Sequence, residues 1–211
     1  MPILINTLKN LSALGIHSCT IITGYLSEKI KAAAANCIRD VDVNCVRSDV
    51  YENTSDMYSL WLARDVLEKG AVILEGDIFF ELHILKEALE TMGDRSFYLA
   101  GRYNGKPDEV IIKTDGEKKV HSIEVLRGGS ASQGEHIFMS SGILVVQPDY
   151  GTAFSWWLSQ WVEKNRVTVL FDDVLGDHAS DLPLWVYEIS SQDWVEIDTS
   201  DDLSRAEAIF R

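Results

Sequence analysis

A four-residue apolar run, Ala71-Val72-Ile73-Leu74, stops abruptly at Glu75-Gly76-Asp77. A run this short and apolar reads as a buried parallel strand, and its carboxyl end delivers Asp77 to the edge where open α/β sheets place ligands. A second acidic stretch, Trp194-Val195-Glu196-Ile197-Asp198, alternates into a helix start. The period of two in a strand turns Glu196 and Asp198 to the same side. Together the acids read as one divalent-cation site. An oxygen-only set suits Mg²⁺, which works with one or two carboxylates plus substrate phosphates. For either aspartate alone a structural role is equally open, Asp77 capping a turn and Asp198 capping the helix that begins near Thr199.

Around these stretches the chain alternates helices and strands. Leu4, Leu8 and Leu11 are spaced for a helix over 3–14, and Gly15 stops it before the strand-like Cys19-Thr20-Ile21-Ile22. A helix over 26–38, a strand over 41–46 and a helix over 57–67 lead to the 71–75 strand, with a further helix over 83–92. The middle of the chain changes character. Strands over 97–101, 110–113, 120–125 and 137–146, with turn signals at Asp115-Gly116 and Gly128-Gly129, add a mixed or antiparallel section. Helices over 154–162 and 199–210 and a strand over 184–189 complete the pattern. No Pro, Gly or Ser-rich linker divides it, so one domain spanning 1–211 is expected.

Composition excludes several partners. With 19 basic against 33 acidic residues the formal charge is -14, which opposes non-specific binding to nucleic acid or anionic membranes. A small cationic or metal-chelated substrate fits better. Apolar runs fall well short of the roughly 18 residues of a membrane span, and the start of the chain lacks a basic segment followed by an apolar core. The expectation is a cytoplasmic protein. Cys19, Cys37 and Cys45 show no CxxC pair and are expected as reduced core thiols. His17, His83, His121, His136 and His178 are scattered and none has ligand spacing. No P-loop, G-x-S-x-G or H-E-x-x-H occurs; Gly101 to Pro107 is one residue short of a P-loop and has Pro107 where Ser or Thr is needed. Lys106, Lys113 and Arg127 are the cations of the middle section that could meet a phosphate.

Taken in order, Pro2-Ile3-Leu4, Ile21-Ile22-Thr23-Gly24-Tyr25, Asn53, Tyr58-Ser59-Leu60, Glu75-Gly76-Asp77 and Glu196-Ile197-Asp198-Thr199 resemble the nucleotidyltransferases that activate small phosphorylated alcohols and sugars. The likeness is above all to the phosphocholine and 2-aminoethylphosphonate cytidylyltransferase branch. It implies a Rossmann-like α/β fold, with a mixed, mainly parallel sheet flanked by helices. It also implies attack by a phosphate or phosphonate oxygen on the α-phosphorus of a nucleoside triphosphate, CTP first among them, with release of pyrophosphate. By the same resemblance Asp77 and Asp198 hold Mg²⁺ and carry catalysis, with Glu196 beside them. Gly24, Tyr25, Asn53, Ser55 and Gly76 contact the nucleotide, and Tyr58, Ser59, Phe171, Asp172 and Asp173 contact the acceptor, with Trp185, Tyr187 and Trp194 close enough in sequence to share that neighbourhood. Aromatic faces and carboxylates recognise ammonium groups, which favours phosphocholine or an aminoalkylphosphonate over a neutral sugar phosphate. A homodimer is compatible with this reading.

The family begins with a strand and a Gly-rich, Arg-containing loop that wraps the triphosphate. Here Met1 stands directly before Pro2-Ile3-Leu4, so that strand and loop are expected to be missing. A truncated enzyme is the first reading. A non-catalytic binding or regulatory relative, or a sugar-phosphate nucleotidyltransferase, is the alternative.

Overall fold

The computed structural model describes residues 1–35 and 40–210. Helix α1 (Ile3–Ala13) leads into β1 (Ser18–Thr23), α2 (Ser27–Ala35) and β2 (Asp42–Arg47), and a 3₁₀ turn at Tyr51–Asn53 precedes α3 (Asp56–Leu62) and α4 (Arg64–Leu67). Strands β3 (Ala71–Leu74) and β4 (Ile78–Phe80) flank the Glu-Gly-Asp step, followed by α5 (Leu82–Met92) and β5 (Phe97–Arg102). Then come β6 (Val110–Thr114), β7 (Val120–Val125), β8 (Ile137–Val146), α6 (Pro148–Glu163), α7 (Phe171–Asp177), β9 (Trp185–Glu188), β10 (Trp194–Glu196) and α8 (Ser200–Ile209).

The expected helix over 57–67 is two helices, because Ala63 leaves helical geometry while Arg64 folds back onto the Trp61 carbonyl and ring. Helix α6 starts earlier than expected, with Pro148 at its first turn, where a missing N–H is harmless. Strand β4 and helix α7 had no expectation. Of the cysteines, Cys19 and Cys45 are half-buried free thiols, and Cys37 lies outside the described residues.

The α/β class agrees with the sequence reading, but "mainly parallel" needs correction. Among the described strands only β1 with β2 and β5 with β9 are parallel; β3, β5 and β6 all run antiparallel to β8, as do β6 to β7 and β4 to β10. The reason is β8, a ten-residue strand that returns through the middle of the sheet after the β6–β7 hairpin. It imposes antiparallel pairing on the 71–74 strand as well. Alternating elements indicate layers, but they do not specify strand direction. The Gly128-Gly129 segment is likewise a loop and not a hairpin turn, because β6 lies between β7 and β8.

Side-chain alternation then builds two cores on one sheet. Phe97, Leu99, Ile111, Met139, Ile143 and Val145 face α5, whose Ile84, Leu85 and Ala88 are buried against them. Tyr98, Ala100, Ile112, Phe138, Leu144 and Val146 face the opposite way, toward Phe154, Trp157, Phe171 and Val174 of α6 and α7. This sorting decides which candidate residues can meet.

Strand β8 also changes neighbours along its length. Its first residues, Ile137 to Met139, pair with β6, and its last, Ile143 to Val146, pair with β3. Between them Ser141 and Gly142 bulge out of register with β5. The sheet therefore has a notch where β3 has ended and β6 has not begun.

Candidate active site

The acids gather at that notch. The Glu75 amide donates to the Gly142 carbonyl (3.0 Å), so the chain leaves β3 over the bulge. Gly142 has φ +74°, and a Cβ there would stand 2.9 Å from Glu75 Oε2 and 3.1 Å from its Cβ. Glycine is required on both counts, and it lets the Glu75 side chain lie flat across the notch. Two residues later Asp77 is held by the second sheet. The Ile197 amide donates to the Asp77 carbonyl (3.0 Å), and Glu196 stands opposite Ile78 in the β4–β10 ladder. Glu75, Asp77 and Glu196 thereby bring carboxylate oxygens within 4.8 Å of one another.

A second triad shares Glu75. Its other members are Asp56, in the first turn of α3, and Asp172, in the first turn of α7, again with oxygens within 4.8 Å. Asp56 accepts from the Phe171 amide (3.1 Å), which ties the starts of α3 and α7 together. Asp172 is 1 % exposed and accepts from the Tyr98 hydroxyl at 2.6 Å.

This crowding governs the electrostatics. Burial, then the charges of Asp172, Asp77, Asp56 and Glu196, push Glu75 up to about 9. Glu196 is raised to about 7 by burial and by Asp198 and Asp77. Burial also lifts Asp172 to about 7 against the opposing Tyr98 hydrogen bond, and Asp56 to about 6 against its backbone donors. Asp77 is raised in the same way, by burial first and Asp198 last. Carboxylates raised in this way by burial and by one another would each be eased by a positive charge placed among them. Asp77 Oδ1 is moreover buried without a hydrogen-bond partner, which native structures rarely tolerate without a ligand or water. An all-carboxylate donor set with one orphaned oxygen fits a hard divalent cation such as Mg²⁺.

Asp198 is exposed and lies close enough to interact with both Asp77 and Glu196. The cap of α8 is Thr199, whose hydroxyl accepts from the Asp202 amide, so the capping role considered for Asp198 is filled by its neighbour. Gly76 is exposed between the two triad acids.

The remaining candidates divide. Gly24 packs under the Tyr51 ring, since a Cβ there would be 2.4 Å from Tyr51 Cγ. That contact joins the end of β1 to the turn holding Asn53. Tyr25 beside it is 72 % exposed. The Ser55 amide donates to the Val167 carbonyl, and its hydroxyl lies 3.4 Å from Asp56 Oδ1, placing Ser55 at the border of the second triad. Tyr58 stacks at a tilt on Trp61, and Ser59 is half-buried in α3. Phe171 is core, packed on Phe154. Asp173 is committed elsewhere: it caps α7 through the Leu170 amide and pairs with both terminal nitrogens of Arg127 (2.6 and 3.0 Å). Tyr187 packs with the core on the α5 face, as do Trp185 and Trp194, so the sheet separates it from Phe171 and Asp172. The structure does not bring those aromatics to the acidic patch.

Three site members escaped the sequence reading. Glu75 belonged to the quoted motif but not to the ligand set, because its position depends on a bulge in β8, far away in sequence. Asp56 was given no functional role, although an acid directly after Ser55 at a helix start was an available signal. Tyr98 carried none.

Comparison with known proteins follows the same lines. No protein-family profile matches the chain. The chain is 24% identical over 208 residues to a 2-aminoethylphosphonate cytidylyltransferase of Lancefieldella rimae, covering 96% of this chain and 78% of that protein. It is 30% identical over 116 residues to a CMP-5'-(3-aminopropyl)phosphonate synthase of Streptomyces rubellomurinus, spanning 55% of this chain but only 18% of that much longer protein. The CTP:phosphocholine cytidylyltransferase of Streptococcus pneumoniae superposes with a TM-score of 0.79 at 20% identity, over 99% of this chain and 85% of the other. The chain is cytidylyltransferase-like in sequence and fold. An inositol-1-phosphate CTP transferase of T. maritima superposes at 0.73, with 16% identity over 98% of this chain and 81% of the other. The Rossmann-like nucleotidyltransferase fold of this cytidylyltransferase-like chain therefore extends over nearly all of its length. Among the described residues no helix is long and apolar enough to cross a membrane.

Proposed function

We propose that this chain is a Mg²⁺-dependent cytidylyltransferase that moves CMP from CTP onto a small aminoalkyl phosphonate or phosphate. The observation that carries the reading is the pair of acid triads joined through Glu75. In the reaction an acceptor oxygen forms a bond to the α-phosphorus of CTP, and the bond from that phosphorus to the bridging oxygen breaks. Pyrophosphate leaves with the electron pair. The acceptor is already a dianion or monoanion at neutral pH, so no protein nucleophile is needed.

Asp77 and Glu196, with Asp198 and Glu75 beside them, would hold the metal. When bound, Mg²⁺ supplies charge neutralisation at the triphosphate and the reacting oxygens. The residues of the chain do the rest. Asp56, Glu75 and Asp172 receive the ammonium group of the acceptor, and the Tyr98 hydroxyl fixes Asp172 so that its free oxygen keeps one orientation. Both relatives described above, the 2-aminoethylphosphonate cytidylyltransferase and the CMP-5'-(3-aminopropyl)phosphonate synthase, are named for an aminoalkylphosphonate, which supports an ammonium-bearing acceptor. Ser55 borders the second triad; Gly24, whose close packing under Tyr51 joins the end of β1 to the turn that carries Asn53, Tyr25 and Asn53 are assigned with it to the nucleotide. Gly76 lies between the metal acids and is assigned to it as well. Tyr58 and Ser59 lie within one turn of Asp56 on α3 and remain acceptor candidates, whereas Tyr187 does not join them.

The test is pyrophosphate release by the purified chain with Mg²⁺, each of the four nucleoside triphosphates, and 2-aminoethylphosphonate, phosphocholine and hexose 1-phosphates as acceptors. Turnover confined to CTP and an amine-bearing acceptor is expected. Preference for a hexose 1-phosphate would overturn the acceptor assignment, and no turnover from folded protein would overturn the enzyme reading.

A further inference from the structure

The acidic strip ends in a cation. We propose that Lys106 binds the phosphonate or phosphate group of the acceptor, so that the site recognises a zwitterion by both of its ends; this rests on the reading above. The loop carrying Lys106 is built to hold it. The Tyr103 hydroxyl donates to the Lys106 carbonyl (2.8 Å) and the Lys106 amide donates to Asn104 Oδ1 (3.0 Å). A second loop braces the first: the Ala131 amide donates to the Tyr103 hydroxyl, the Gln133 side chain to the Asn104 carbonyl, and the Gly128 amide to Asp108 Oδ1. Asp108 itself has φ +60°. A non-glycine residue held in the left-handed region inside such a network marks a conformation fixed by its surroundings.

Strand β10 brings this loop to the site. The Trp194 indole lies against Gly101, 3.6 Å from where a Cβ would stand, and Gly101 leads directly into the loop. Glu196 is two residues beyond that indole. Lys106 pairs with Glu109 at 2.8 Å and interacts electrostatically with Glu196 and Asp202. Glu109 is buried, while the Lys106 side chain remains 54% exposed. An ammonium has three donors, and the ion pair with Glu109 is through Oε1 alone, leaving donors for a ligand.

The other candidate cations are committed or remote. Lys113 pairs with Glu124 across the β6–β7 ladder, and both Arg127 terminal nitrogens are taken by Asp173. The strip therefore runs from the buried carboxylate of Asp172 and the half-buried one of Asp56, through Glu75 and the metal acids, to an exposed ammonium. That order of charge is the reverse of an aminoalkylphosphonate lying along it, amine at the buried end and phosphonate between the metal acids and Lys106.

The experiment measures KM for CTP and for 2-aminoethylphosphonate in wild type, Lys106→Met and Lys106→Arg. Losing a charge-assisted hydrogen bond should raise the acceptor KM by about 10- to 100-fold in Lys106→Met while the CTP KM stays within about twofold, and Lys106→Arg should recover part of the loss. Methionine leaves Glu109 without its cation, so Lys106→Met/Glu109→Gln is assayed alongside and must show the same selective rise. An unchanged acceptor KM, or equal rises for acceptor and CTP, overturns the role of Lys106 while wild-type turnover keeps the enzyme reading intact. Absence of turnover in wild type overturns both.

Discussion

At the buried end of the strip Asp56 and Asp172 have protein donors: Tyr98 serves Asp172, and the Phe171 amide serves Asp56. At the open end Asp77 Oδ1 is buried with no partner, and the neighbouring Asp198 is exposed. Both ends are raised in pKa by burial first, so burial alone does not distinguish them. Hydrogen-bond satisfaction does. A satisfied carboxylate is held in one orientation and offers a fixed negative charge, which suits an organic ammonium. An orphaned one gains most from a cation that can complete its coordination. On the proposed reading, identical residue types serve two chemistries, set by what the fold provides around them.

The sharpest way to break this comparison is Asp77→Asn. It keeps the shape but removes the charge from the unsatisfied end, and kcat for pyrophosphate release should fall by roughly a thousandfold as metal-borne charge stabilisation is lost. Circular dichroism should stay at the wild-type signal. Turnover within a few-fold of wild type would remove Asp77 from the metal site.

Gly142→Ala attacks both ends together through the one residue they share. A Cβ at φ +74° is strained and would meet Glu75, moving its carboxylate out of both triads. Misplacement on the order of 1 Å typically costs about a hundredfold in rate, so kcat/KM should fall by that order, with metal affinity and acceptor KM both impaired. If only one of the two changes, Glu75 does not link the ends.

How much of this was legible depended on range. Asp77 and Glu196 stand beside strand ends, a local signal, and the structure brings their carboxylates near one another, with Asp198 close by. The layered α/β class was legible for the same reason, since apolar periodicity is local. Glu75 was not, because its place depends on a bulge at Ser141-Gly142 and a partner change in β8, both long-range consequences of sheet closure. The direction of β3 failed for the same reason. Tyr187 was grouped with Asp172 by nearness in sequence, and strand alternation put it on the other face.

At the buried end the expected change is smaller. Asp172→Asn retains a partner for Tyr98 but loses the charge, so the KM for an amine-bearing acceptor should rise by about tenfold. The CTP KM should not move. Equal shifts in both would mean that Asp172 supports α7 and not the ligand.

The smallest effect is on stability, and it joins the two ends. Glu75 at about 9, Glu196 and Asp172 at about 7 and Asp56 at about 6 all titrate higher in the folded chain than the roughly 4 expected when unfolded. Between about pH 4 and pH 9 the folded state therefore holds more protons than the unfolded one. Stability of the metal-free protein must fall as pH rises through that window and be greatest near its acidic side, before other groups titrate. A decline in Tm on the order of 5–10 °C from pH 5.5 to pH 9 is expected, at about 2–4 °C per kcal/mol for a chain of this size. Saturating Mg²⁺ should flatten the profile, because a bound cation replaces the protons that the raised carboxylates would otherwise carry. Asp77→Asn should keep the pH slope contributed by Asp172 and Asp56 but lose the flattening. A Tm that rises with pH in the metal-free protein would mean that the acids are already neutralised by something other than protons, and the division of the strip into a satisfied end and an open end would fail with it.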